Sequence, residues 1–278
     1  MIKILLTILT CTGYILSTNT VFGQEYTVDP GLISARFLWP AGKKMALTLS
    51  FDDARFSQVD NCLPILDKFG VKGTFYILPK NLTERIEGWK NAVIQGHEIG
   101  NHTLYHACSI NFEWTRKHSL EETTLRQMRE QLDSANAFIQ KTLGVKALSF
   151  AYPCGQKYVG KSENTRSYVP LIARRFETGR GWHDEGANDP GYCNFVQLNA
   201  IEMDGKSFED LKSQIDKAKI KGQWLILAGH EVNNGGDQTT LLTTLEALCK
   251  YAADPANEIW LNNVHNVATY IKKQRKID

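Results

Sequence analysis

Two short stretches carry side chains that together can do hydrolytic chemistry. Asp52 and Asp53 end the apolar, β-prone run Leu47-Thr48-Leu49-Ser50-Phe51, and His102 and His106 follow about fifty residues later. A buried strand that stops in two acids delivers them to the rim of a sheet or barrel. The four-residue spacing of the histidines predicts both imidazoles on one side of a helical turn, within the three-to-five residue gap common for paired zinc histidines. One carboxylate and two imidazoles make a three-ligand site for a divalent metal with a position open to water, and the neighbouring carboxylate can take that water's proton. Each stretch alone is ambiguous. Paired acids after a strand also build turns and caps, and His-x-x-x-His also occurs on ordinary helix surfaces.

Four motifs in register remove much of that ambiguity. Ser50-Phe51-Asp52-Asp53-Ala54 resembles the first motif of the polysaccharide deacetylase family, the NodB-homology carbohydrate esterases, written Thr-Phe-Asp-Asp-Gly. His102-Thr103-Leu104-Tyr105-His106 fits the second, His-Ser/Thr-x-x-His. Phe150-Ala151-Tyr152-Pro153-Cys154-Gly155 stands where the third motif, Arg-Pro-x-Tyr-Gly, belongs, and Leu225-Ile226-Leu227-Ala228-Gly229-His230 resembles the last, an apolar strand ending in histidine. Order and spacing agree over residues 43–275.

The resemblance implies a single-domain α/β fold, a distorted (β/α)7-type barrel. It also implies a metal-dependent hydrolase that removes N- or O-linked acetyl groups from a polysaccharide or oligosaccharide. By that resemblance Asp53, His102 and His106 hold the metal, with zinc expected and cobalt, nickel or manganese also compatible with mixed oxygen and nitrogen ligands. Asp52 is then the general base, His230 the general acid, and Tyr152, Pro153 and Cys154 the oxyanion and substrate-binding segment, through a backbone amide near Cys154. Trp182, in an irregular loop, is a candidate sugar-stacking platform, although tryptophan also fills cores. His230 alone reads as a core histidine on an apolar strand, and only its place in the series gives it a role. His97 has no such motif and reads as structural.

Two departures stand out. Ala151 occupies the place of the arginine that braces the base in many members, leaving Arg174, Arg175 or Arg180 to substitute. The fourth motif is not recognisable, and Glu202 or Asp204 stands as its replacement.

The elements that must position these residues alternate between strand and helix. Strands are expected at Ala46–Phe51, Gly73–Leu78, His97–Asn101, Ala147–Ala151, Phe195–Ile201, Gln223–Gly229 and Ile259–Leu261, giving roughly seven βα units. Helices closed by Gly70, Gly96, Gly144 and Gly222 separate them. The longest helix carries Leu125, Met128, Leu132, Ala135 and Ile139 at three- to four-residue intervals, with Ser119 and Glu122 expected as its capping box. Helices are also expected from Ser207 to Lys221, Thr239 to Ala252 and Val264 to Lys273.

Residues 1–23 read as a secretory signal: a lone Lys3, an apolar core from Ile4 to Ile15, and a small-residue approach to cleavage at Gly23. The apolar run is too short and too rich in threonine for a stable membrane span. The expectation is a secreted or periplasmic protein with an arm at 24–42 and a catalytic domain at 43–278. The formal net charge of +2 falls to +1 without Lys3, which excludes nucleic acid as an expected partner and leaves an acetylated glycan. Five cysteines remain after the signal, and their even scatter suggests buried free thiols with one bridge rather than a disulfide framework. Two other readings stay open: an amide or imide hydrolase acting on a small molecule, and a carbohydrate-binding pseudoenzyme, against which the presence of all five polar site residues argues.

Overall fold

The strand Met45–Asp52 is buried along all eight residues, which an alternating half-exposed strand never is. Continuous burial requires cover on both faces, the environment of parallel sheets flanked by helices. In the computed structural model, which describes residues 37–276, this strand is the centre of an eight-stranded parallel sheet. On one side it pairs with Trp224–Gly229 over six residues. On the other it pairs with Thr74–Ile77 through its second half and Ile259–Leu261 through its first. Glu98–Asn101, Ser149–Ala151 and Thr178–Arg180 continue the sheet in one direction and Ile201–Glu202 in the other. A parallel bridge from Leu198 to Arg180 brings the two margins together. This is the distorted (β/α)7-type barrel expected from the motifs, in one domain. Because every strand runs the same way, all C-terminal ends lie on one rim.

Helices Leu63–Lys68, Ile86–Ile94, Leu125–Leu143, Phe208–Lys221, Leu242–Ala253 and Val264–Arg275 lie between or after the strands. Apolar side chains from both layers, among them Leu47, Phe75, Leu132, Ile215, Leu227 and Leu248, form the main core. Four details differ from the expected elements. The strand expected at Phe195–Ile201 is a 3-10 turn at Phe195–Gln197 followed by the two-residue strand Ile201–Glu202. The capping box of the long helix is Thr124 with Gln127, five residues later than Ser119 and Glu122. Thr239–Leu241 is a short strand paired with Glu231–Asn233, so the following helix starts at Leu242. Between Ala173 and Leu198 lies the strand Thr178–Arg180, which pairs with Ser149–Ala151 and is too short to show any period.

The proposed signal segment and arm residues 24–36 lie outside the described residues. The end of the arm, 37–42, packs down: Trp39 is buried, stacks on Tyr270 at 6.3 Å and donates its indole N–H to Gly222 O. Among the described residues no helix is long and apolar enough to cross a membrane. Cys108 and Cys154 form a disulfide, while Cys62, Cys193 and Cys249 are free thiols.

Candidate active site

Asp52 is the last residue of the central strand, and Asp53 begins the turn beyond it with φ 74, followed by Ala54 at φ 55. Two consecutive non-glycine residues in the left-handed region cost roughly 1–2 kcal/mol each, strain of the kind found where a site dictates the backbone. The turn is held from outside: Asn81 Nδ2 donates to Asp53 O, and the buried Gln58 Nε2 donates to both Asp52 O and His230 O. One glutamine therefore ties the first motif to the last.

His102 and His106 do not share a helix. Residues 102–109 form an irregular loop leaving Glu98–Asn101, with Thr103 at φ 64 and His106 at φ 54. Asn101 Oδ1 accepts from Thr103 N and the Thr103 hydroxyl accepts from His106 N. These side-chain bonds fold the loop back so that the rings meet edge to face at 4.7 Å. The expected juxtaposition is present, but a kinked loop makes it rather than helical spacing.

Asp53 Oδ1 lies 3.4 Å from His106 Nε2 and 3.6 Å from His102 Nε2. It is buried and has no hydrogen-bond partner. His102 Nδ1 donates to Ala151 O at 2.9 Å, which turns Nε2 toward the carboxylates. His106 Nδ1 has only the Cys108 sulfur at 3.8 Å. Burial, and then the neighbouring His102, push the His106 pKa down to about 4, so it offers a neutral lone pair. Burial alone would raise Asp53, but His106, His102, His230 and Arg55 outweigh it and hold the carboxyl well below its usual range. An orphaned buried anion facing two imidazole nitrogens is a donor set that fits a divalent cation.

The other two groups are braced from behind. Arg180, fully buried at the end of its strand, donates from Nη2 to Asp52 Oδ1, stacks over Tyr76 at 4.7 Å and donates from Nη1 to Gly181 O. Of the three candidate arginines it alone reaches the site. It pairs in register with Ala151 on the next strand, so the arginine has moved one strand over. Arg175 instead binds Asp133 on the surface. Burial works to raise the Asp52 pKa, but Arg180, His102 and His230 together lower it. Asp204 likewise takes the second vacant role. It accepts from His230 Nδ1 at 2.8 Å and from His230 N, and is itself held by Thr240 Oγ1 at 2.7 Å. Glu202 lies 3.6 Å from His183 instead. Burial acts to lower His230, but Asp204, Asp52 and Asp53 raise it above its ordinary value, favouring the protonated ring.

These groups surround a cavity of about 630 Å³. Cys154 and Trp182 line it, and Trp182 is half-buried with its ring edge-on to His230 at 4.7 Å. Tyr152 does not line it. Its ring is buried against Phe150 and Tyr168, and its hydroxyl donates to Val196 O, so it is a wall of the core. Pro153 is buried in the same turn. Trp114, Tyr105 and His118 also line the cavity; sequence reading singled out none of them in that role, because Tyr105 fills an unspecified position of the second motif and no motif marks Trp114 or His118. His97, as expected, is structural: Nδ1 accepts from Gly73 N and Nε2 meets Asp67.

Residues 40–169 match the sequence family described as polysaccharide deacetylase, so the family resemblance carried by the motifs holds. The matched span ends before Arg180, Asp204 and His230. The uncharacterized protein YlxY of Bacillus subtilis (strain 168) is 34% identical over 97 residues, covering 35% of this chain and 27% of that protein. A gellan lyase from a Bacillus species is 22% identical over 259 residues, covering 85% of this chain and 10% of the lyase. The chain thus spans about a quarter or less of the length of these curated relatives.

Among solved structures, a Mycobacterium smegmatis protein provisionally assigned as a polysaccharide deacetylase has a TM-score of 0.65 at 15% identity, covering 88% of this chain and 96% of that one. The PuuE allantoinase has a TM-score of 0.64 at 14% identity, covering 86% and 94%. Peptidoglycan deacetylase PdaC from Bacillus subtilis has a TM-score of 0.50 at 17% identity, covering 84% and 93%. At such identities the likeness is one of fold.

Proposed function

We propose that this protein is an exported, metal-dependent hydrolase that removes acetyl groups from a glycan. The observation that carries the reading is the convergence of Asp53 Oδ1, His102 Nε2 and His106 Nε2 around an unpartnered buried oxygen, with Asp52 and His230 braced beside them. A divalent ion, zinc first among the candidates, supplies there a lowered pKa for water and polarisation of the acetyl carbonyl. Asp52, ionised because Arg180 stands behind it, accepts the proton of the attacking water. His230, protonated and fixed by Asp204 on Nδ1, donates from Nε2 to the departing amine or hydroxyl. The Cys154 segment, tied to the His106 loop by the disulfide, lines the cavity, and its backbone amide is the candidate donor to the oxyanion. Trp182 lines the same cavity and is the candidate stacking surface for a sugar ring.

Acetate release from a panel of N- and O-acetylated glycans by metal-reconstituted protein tests the reading, with Asp52→Asn and His102→Ala alongside. Release that both substitutions abolish is expected. Metal binding without release from any glycan would refute the glycan assignment. Small amides and imides, the second substrate class, are included in the same panel. Sizing the mature protein from the exterior of expressing cells checks the export expected from residues 1–23.

A further inference from the structure

Arg55 stands two residues past Asp53, outside all four motifs, and its guanidinium donates twice to one atom. Nε and Nη2 reach Asp53 Oδ2 at 3.0 and 2.8 Å. The other oxygen, Oδ1, is left buried, unpartnered and turned toward His102 and His106. Arg55 is also held by Gln238 Oε1, which accepts from the same Nη2 at 3.3 Å, and by Glu231 Oε1, 3.6 Å from Nη1. Glu231 also accepts from Ser57 Oγ, so the arginine sits in a frame built from the segment that follows His230.

We propose that Arg55 is a positioning residue that reserves one oxygen of Asp53 for the metal and thereby sets which metal the site prefers. A carboxylate whose second oxygen is engaged presents a single donor, which with two imidazoles suits a small, low-coordinate ion such as zinc. Released, the same carboxylate can offer both oxygens, which suits a larger, oxygen-seeking ion such as manganese. The inference rests on the reading of Asp53, His102 and His106 as metal ligands.

The positive charge of Arg55 also weakens attraction for any dication, so absolute affinity mixes two effects of opposite sign. The ratio of zinc to manganese affinity largely cancels the shared charge effect and isolates the donor count. Competition titrations of Zn²⁺ and Mn²⁺ on the wild type, Arg55→Met and Arg55→Lys are the test. Loss of an outer-sphere partner changes metal affinity by about 10- to 100-fold in metal sites generally, and the preference for zinc over manganese is expected to fall by roughly tenfold in Arg55→Met. Arg55→Lys keeps the charge and loses the paired donors. It should fall in the same direction by less, and it carries the test if Arg55→Met does not fold. In the cobalt-loaded variants, visible absorption should weaken as coordination number rises, a readout independent of turnover. An unchanged preference and cobalt spectrum in a folded variant would overturn the proposal. Absence of metal binding by the wild type would overturn the reading beneath it instead.

Discussion

Asp52 and His230 reach the cleft with their rear atoms already bonded, Oδ1 to Arg180 and Nδ1 to Asp204. Across from them Asp53 keeps a buried oxygen with no partner, and His106 has only a sulfur at 3.8 Å behind it. The two halves of the site are thus completed to different degrees. Groups that move protons need a fixed tautomer, orientation and pKa before substrate arrives, and buried partners supply all three. Groups that hold an ion must leave donor capacity open for it, and that openness costs stability in the free protein.

The largest test of this contrast is Arg180→Met. Removing the cation strands a buried Asp52 carboxylate, which should cost about 3–5 kcal/mol in denaturant unfolding. Because the folded Asp52 pKa is lowered, its contribution is present above the usual carboxylate range and lost as pH falls through the lowered value. Variant and wild type should therefore converge in strong acid. On the metal side, Zn²⁺ at a hundredfold excess over Kd should stabilise the wild type by about 2.7 kcal/mol, and His106→Ala should remove that increment. Equal response of both proteins to zinc would erase the distinction between the halves.

Asp204→Asn probes the acid. His230 is held above its ordinary pKa in part by Asp204, so its protonated form persists as pH rises and is lost through the raised value. The substitution should move the alkaline limb of the pH–rate profile to lower pH without moving the acid limb set by Asp52. The smallest effect is expected for Arg175→Ala. The Arg175–Asp133 pair is bidentate, where Arg180 reaches Asp52 through one nitrogen, but it lies at the surface, and its loss should cost about 0–1 kcal/mol.

Much of this site was legible in the sequence because its residues end recognisable elements. Asp52 stops an apolar run, His230 stops another, and glycines close the helices between them. What was not legible depends on partners distant in the chain. Arg180 meets Asp52 across 128 positions from a three-residue strand without periodicity, and nothing local separates it from Arg174 or Arg175. Asp204 is separated from Glu202 by its bonds to His230 and by the Thr240 hydroxyl that holds it, the latter in a strand that the sequence suggested was the start of a helix. The His102 loop misled in another way. A spacing of four fits a helix, yet side-chain bonds from Asn101 and Thr103 build a kinked loop with the same outcome for the rings. Tyr152 shows the reverse: its place in the third motif suggested a substrate-binding role, but its ring is buried in the core and its hydroxyl turns away to Val196 O.

Diffraction from zinc-soaked crystals, recorded on both sides of the zinc absorption edge, tests the central claim most directly. The account predicts one anomalous peak within about 2.0–2.2 Å of Asp53 Oδ1, His102 Nε2 and His106 Nε2, with Asp53 Oδ2 still on Arg55. A peak elsewhere, or none at the three atoms, would contradict it.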